Sequence, residues 1–303
     1  MRVLYIAKHS QKNSNDDEGA ISDGFIQQTH RVFSILEKDV RKHARFIHAC
    51  GADFVLFHKW LDIAFLKEIK AKKVFWFFDL VDQEDVPDRT AWRKNWMEQT
   101  IPHVDLGFCT DGDWVAKDTS GKLIKLEQGA DGRIAGPGEH EGKTIPILFT
   151  GTEKNCGTKR ESFVAEMKRT YGDKFVHIDN GCYGKALANK IASAQIVVAP
   201  DSPLSEAYWS NRVYMALGFG AFMLHPYSMQ LSDHYEDGRE IVYYHNRPHL
   251  HELIAHYLDL PKERERIAKA GLLRTYIQHL YLHRCMTMTR IIRQRLYPGG
   301  QAI

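Results

Sequence analysis

Three loops in the second half of the chain carry residue types that could bind a ligand, two of them an anion. Gly151-Thr-Glu-Lys-Asn-Cys-Gly-Thr-Lys159-Arg160 joins a glycine turn to hydroxyls and two cations, after an apolar run and ahead of a helical pattern. Unpaired N–H groups at a helix start would add to the Lys159 and Arg160 charges. The spacing is neither G-x-G-x-x-G nor a Walker A loop, and an ordinary strand–helix turn with surface cations is the alternative. In the second loop Ser210 stands as the N-cap of a helix expected from Asn211. Arg212 then falls in the first turn, where the helix dipole favours an acid. A cation there makes sense if an anion docks beside it; a surface ion pair is the alternative. The third loop, Asp179-Asn-Gly-Cys-Tyr-Gly-Lys185, has Gly181 and Gly184 to admit a nucleobase or ribose and Tyr183 to stack on it, or is a plain turn.

The first half offers groups for proton transfer. Asp79 ends the very apolar run Phe75-Trp-Phe-Phe78, and a carboxylate emerging there can serve as a general base, or as a helix cap. Asp23 and His9 are the next candidates. Asp111 and Asp113 form an Asp-x-Asp pair whose carboxylates suit a hard cation, but the tripeptide is common. His245/His249 are four apart with Pro248 between them, and His279/His283 lack an evident third ligand. No metal site is expected.

Short apolar runs alternating with amphipathic stretches position these loops, the pattern of a parallel-sheet α/β protein. Strands are expected at 3–7, 53–57, 74–78, 104–109, 123–126, 145–150, 175–178, 195–199, 221–224 and 240–244. Helices are expected at 21–37, 63–70, 92–100, 161–170, 185–193 and 211–217, and over nearly all of 249–296, divided by Pro261 and Gly271. The Gly/Pro-dense segment 129–138 reads as a linker. The expectation is two Rossmann-like domains, 1–138 and 139–275, with loops at strand C-termini lining a cleft and a helical tail, 276–303, crossing back to the first domain.

Of 303 residues 44% are hydrophobic and 26% charged, which excludes a disordered chain. The net charge of +3 excludes a polybasic surface of the histone kind. Five widely spaced cysteines without C-x-x-C argue against a disulfide framework and for reduced thiols in the cytosol. The N-terminal apolar run is too short for a signal peptide, and no run reaches a membrane span.

Ser210-Asn-Arg-Val-Tyr-Met-Ala-Leu-Gly-Phe-Gly-Ala-Phe-Met-Leu-His225 resembles the donor-domain segment of GT-B glycosyltransferases, in particular the spore-maturation-protein type and its phage-encoded relatives. The pattern continues through Asp237–Tyr244, Ile254–Leu258 and Pro261–Gly271, with echoes in Phe75–Asp79 and Gln128–Asp131. The resemblance implies a nucleotide-sugar donor, UDP-glucose-like, bound by the second domain. Gly151, Lys159, Arg160, Ser210, Asn211 and Arg212 would hold its diphosphate, and Gly181, Tyr183 and Gly184 would lie near base and ribose. It implies no obligatory metal, because cations neutralise the leaving diphosphate. One departure is clear. Retaining relatives carry Glu-x7-Glu; Met215 stands at the second position and Ala207 at the first, with Glu206 one residue off. An inverting reaction would need one base, Asp79 first, then Asp23 and His9.

The acceptor is a hydroxyl, with hydroxymethylated pyrimidines in phage DNA weighed beside glycans and proteins. Trp92, Trp96 and Trp114 could serve a flipped base, or pack in the core. Residues 261–297 carry nine Lys/Arg against two Glu, leaving the rest of the chain net negative. Arg284, Arg290, Arg293 and Arg295 could steer a polyanionic acceptor, or form a solvated face. A nucleotide-sugar hydrolase or epimerase, and a non-catalytic GT-B-like coat protein, are the competing readings.

Overall fold

A computed structural model describes residues 1–8, 17–58, 62–139, 141–153, 157–179, 181–202 and 204–299. In chain order the elements are β1 (Arg2–Ala7), α1 (Asp17–Ile26), β2 (Arg31–Leu36), α2 (Ala44–Ala49), β3 (Phe54–Phe57), α3 (Ile63–Glu68), β4 (Lys72–Phe77), α4 (Pro87–Thr100), β5 (Leu106–Cys109), α5 (Gly112–Ala116) and β6 (Leu123–Lys125). There follow β7 (Ile145–Thr150), α6 (Thr158–Tyr171), β8 (Phe175–Ile178), α7 (Gly184–Ala192), β9 (Ala194–Val198), α8 (Arg212–Gly218), β10 (Met223–Pro226), α9 (Met229–Ser232), β11 (Val242–Tyr244), α10 (Arg247–Leu258), α11 (Pro261–Gln278) and α12 (Tyr281–Leu296).

The chain forms two compact units, one of Met1–Asp82, Pro87–Gln128 and Tyr281–Ile303, the other of Gln83–Val86 and Gly129–Leu280. The first contains a six-stranded sheet in the order β2-β1-β3-β4-β5-β6, with every pairing parallel. Its inner strands β1, β3, β4 and β5 are largely apolar runs because both faces are covered, whereas edge strand β2 is partly exposed. Leu4 and Ile6 enter one core layer with Phe57, Phe75 and Phe77, whereas Val3, Tyr5 and Ala7 enter the other with Phe54 and Trp76. Helix α12 closes the second layer through Tyr281, Cys285, Met288 and Ile292. It lies so close to α1 that a Cβ on Gly24 would come within 3.0 Å of the Cys285 sulfur.

The second unit holds a five-stranded parallel sheet, β11-β10-β9-β7-β8, packed through Ile147, Phe149, Ile196, Val198 and Leu224 against Phe163 and Val164 of α6, Ile254 of α10 and Ile267 of α11. No helix among the described residues is long and apolar enough to cross a membrane.

Two sequence expectations are corrected. The helix expected over 21–37 stops at Ile26, and Arg31–Leu36 is instead strand β2, paired parallel with β1. Thr29 takes a left-handed conformation with φ of 64° and turns the chain between the two elements. The break expected at Gly271 lies at His279–Leu280; Gly271 sits inside α11. It is glycine for proximity, since a Cβ there would collide with the Glu240 carbonyl oxygen.

Candidate functional site

In the second sheet β7 and β9 are neighbours, with β8 outside β7 and β10 outside β9. The strand order therefore reverses between β7 and β9, the kind of switch point at which open α/β sheets offer a ligand crevice beyond the C-terminal strand ends. Gly151 opens the loop after β7 and Ala199–Asn211 forms the loop after β9.

Arg212, at the start of α8, is the cation at this switch point. Its Nε donates to the Thr150 carbonyl, its Nη1 lies 3.2 Å from the Ser210 hydroxyl, and its guanidinium carbon lies 5.2 Å from the centre of the Phe149 ring. The Thr150 carbonyl, the Ser210 hydroxyl and the Phe149 ring thus hold the guanidinium in place. Gly151 adopts φ of 142°, and any side chain there would overlap the Arg212 Nη2. His225, fully enclosed at the end of β10, titrates at about 4 because burial disfavours its charge and Arg212 repels it; the Pro226 carbonyl that its Nδ1 contacts pulls the other way. Beside Arg212, the Thr150 hydroxyl is buried without a partner among the described residues.

Arg160 has a different role from the one its sequence position suggests. Its side chain turns inward, donating from Nε and Nη2 to the Ser202 carbonyl at 3.1 and 3.0 Å and from Nη1 to the Thr152 carbonyl at 2.9 Å. It clamps the two loops of the crevice together. Lys159 stays exposed. Gly157, with φ of 96°, precedes α6, and a side chain there would overlap the Asp85 carboxylate. An internal anion, hydrogen-bonded by Gln83 at 2.8 Å, thus occupies the start of α6. Neither Asp85 nor this contact was visible in the sequence.

Ser210 is not the N-cap of α8; Asn211 holds that position, with helical backbone and no side-chain cap. The Ser210 hydroxyl instead accepts from Arg212. After β8, Gly181 and Gly184 take positive φ of 87° and 56°, and Tyr183 stands half exposed between them. Asp179 accepts from the Glu153 N–H at 3.2 Å, and the His177 ring stacks on Phe149 and contacts the Gly151 carbonyl at 2.8 Å, tying this loop to the one after β7.

A family model described as "Glycosyl transferase-like" matches residues 129–290, more than half of the chain. The protein belongs to the glycosyl transferase-like family. Among solved structures, sucrose-phosphate synthase from Thermosynechococcus elongatus aligns with a TM-score of 0.64 at 11% identity over 99% of this chain and 100% of that one. Anabaena HepE in complex with UDP-glucose aligns at 0.64 and 8% over 97% and 100%, and a glycosyltransferase from Rickettsia africae at 0.63 and 10% over 98% and 99%. The two parallel sheets with their helices match the GT-B fold. A search of curated proteins found no match.

At the positions of the Glu-x7-Glu pair weighed in the sequence, no carboxylate is found. Ala207 is buried, Met215 is half-buried on α8, and Glu206 turns away to accept from the Met229 N–H at 2.7 Å.

In this glycosyl transferase-like chain the first unit treats its candidate acids differently. Asp79 follows β4, is 32% exposed at its side chain and faces the Arg93 Nε at 3.8 Å. Asp23 lies in the middle of α1, where Gln27 donates to it at 2.5 Å. His9 is outside the described residues. Asp111 caps α5 by accepting from the Trp114 N–H at 3.0 Å, and accepts from the Val81 N–H at 2.8 Å. Burial pushes its carboxyl up against the pull of those two donors. Among the described residues no group of three His, Cys, Asp or Glu could hold a metal ion. Trp96 is buried, stacked on Phe77. Trp92 is exposed, and Trp114 packs partly buried at the core.

The basic tail also divides. Arg284 is buried and donates to the Gln128 carbonyl at 2.9 Å, which removes it from any surface for a polyanion. Arg290, Arg293 and Arg295 remain exposed on α12.

Proposed function

We propose that the protein transfers a sugar from a nucleotide-sugar donor to a hydroxyl acceptor, and that the second unit holds the donor. The observation that carries this reading is the Arg212 guanidinium, fixed by the Thr150 carbonyl and the Ser210 hydroxyl against Gly151 at the switch point of the second sheet. A diphosphate leaving group needs such a pre-oriented cation, already in place when negative charge develops. Lys159 supplies a second charge, Tyr183 with Gly181 and Gly184 receives the base, and the partnerless Thr150 hydroxyl is available to a donor oxygen. HepE was crystallised with UDP-glucose, so a UDP-sugar is the first donor to try.

On the first unit Asp79 is the proposed base for the acceptor hydroxyl, with Asp23 and His9 behind it. The cations take the place of a metal, so turnover in excess EDTA should equal turnover without it. Three exposed arginines are what supports a DNA acceptor; glycans and proteins stand beside it.

A thermal-shift panel of UDP-, dTDP-, GDP- and ADP-sugars tests the donor reading. One base class should raise Tm by several degrees. Stabilisation by none would leave the non-catalytic scaffold. Labelled sugar should then move to an acceptor, and duplex with 5-hydroxymethylpyrimidine beside unmodified duplex and simple glycosides decides which. Free sugar or an epimer without acceptor would instead favour the hydrolase or epimerase.

A further inference from the structure

We propose that the second unit carries another ligand site, at the opposite edge of its sheet, for a small molecule with an apolar body and one carboxylate head. A cavity of about 370 Å³ lies there. Lys143 precedes β7, Gln195 lies at the start of β9, and Gly220 and Phe222 precede β10, so the cavity opens at the N-terminal ends of the strands. The loops around Gly151 and Arg212 leave the C-terminal ends. The other wall is α11 from Pro261 to Leu272. The volume falls within the roughly 300–1,000 Å³ of small-molecule sites.

The body of the cavity is apolar, formed by Phe222, Ala268, Leu272 and proline rings. Its charged groups are three cations, Arg264, Lys143 and Lys269, and one carboxylate, that of the exposed Glu265; Gln195 adds an amide. Arg264 is only 7% exposed. Its Nη1 donates to the Tyr257 and Leu258 carbonyls at the end of α10, while its Nε and Nη2 have no partner among the described residues. Lys143 donates to the Ala192 carbonyl at 2.8 Å and forms no ion pair among the described residues. Burial pulls both groups down from their ordinary range, and the Arg264 charge lowers Lys143 further; Glu265 opposes this for both and Asp259 for Arg264. Lys269 adds a third cation on the lining.

Arg264 is buried and Lys143 half-buried, and like charges on one lining without a bonded carboxylate repel each other. An anion between them would accept the unused Arg264 N–H groups and relieve the repulsion, while its apolar part fills the cavity. A carboxylate suits the planar fork of an arginine.

The test is calorimetric titration of the full-length protein with octanoate, octanol and acetate. Octanoate should bind at one site, at least tenfold more tightly than either control, since octanol lacks the head and acetate the body. Lys143→Met, which keeps the stem and removes the charge, should weaken octanoate at least tenfold. Ala268→Phe, which fills the cavity, should abolish binding. Both variants should bind UDP as the wild type does, whether or not the donor reading survives, and saturating UDP should not displace octanoate. Equal binding of octanol and octanoate, no octanoate binding to wild type, or unchanged affinity in Lys143→Met would overturn the proposal. Displacement by UDP would overturn it too, by moving the ligand to the other edge. Lys143 lies on a loop, so that variant keeps the test decisive if Ala268→Phe fails to fold.

Discussion

The two units share one plan, a parallel sheet between helices, yet use the polar residues at their strand ends in opposite ways. In the second, Arg212 is held by a carbonyl, a hydroxyl and a ring. In the first, Asp111 is consumed by backbone N–H groups, Asp23 by a glutamine one helical turn away, and Asp79 faces an arginine while staying partly exposed. Residue type at a strand end therefore does not by itself make a site. What matters as well is which partners hold the group and how much of it they leave open to solvent.

The largest expected effect separates Asp79 from Asp23. Asp79→Asn should lower turnover by roughly 10²–10⁴, the range for losing a general base, and leave UDP binding unchanged. Asp23→Asn should stay near wild type, because its carboxylate is bonded within its own helix. Equal losses in both would erase the distinction drawn between the first unit's acids.

A second contrast lies between two arginines of the second unit. Arg212→Lys should reduce transfer by about tenfold to a hundredfold with little change in Tm, since lysine keeps a charge but not the fork. Arg160→Lys should mainly lower Tm, because the loop clamp to Ser202 and Thr152 is lost. The reverse pattern would exchange their roles.

Glycines sharpen the point further. Gly151→Ala and Gly271→Ala should each cost about 1–3 kcal/mol in stability, the first from strained φ and the second from overpacking. Only the first should weaken UDP, because only Gly151 borders Arg212.

The smallest effect is shared by both units. His30 and His225 each titrate at about 4 in the folded protein, mainly through burial, against an ordinary value of 6.5. Below pH 6.5 the unfolded chain takes up these protons and the folded one does not. Their contribution is therefore complete above pH 6.5 and is lost as pH falls toward 4. Thermal melts across that window should show Tm falling, less steeply in His30→Gln.

Much of the fold was legible because buried parallel strands are continuous apolar runs; Ile145–Thr150 and Phe175–Ile178 fall on the residues expected. Strand β2 was hidden because Phe25, Thr29, Val32, Phe33 and Leu36 also fit helical spacing, and only the left-handed Thr29 separates the two elements. Gly271 misled because a helix breaker and a close-packing glycine look the same until Glu240 is placed against it. At the site, the mismatch of Arg212 with the helix dipole singled that residue out in the sequence, and in the fold it lies at the start of α8 beside Thr150 and Ser210. Which of Arg160 and Arg212 turns inward depends on where the Ser202 and Thr150 carbonyls lie, and the Asp85 carboxylate reaches Gly157 from a distant segment. Local sequence carries no trace of either.

The central claim is that Arg212 is the cation that holds the donor diphosphate. Calorimetric titration of UDP into wild type and into Arg212→Lys, with equal folding checked by thermal melts, tests it most directly. Single-site binding that weakens at least tenfold in the variant is expected. Equal affinity in the two proteins, or no UDP binding by wild type, would contradict it.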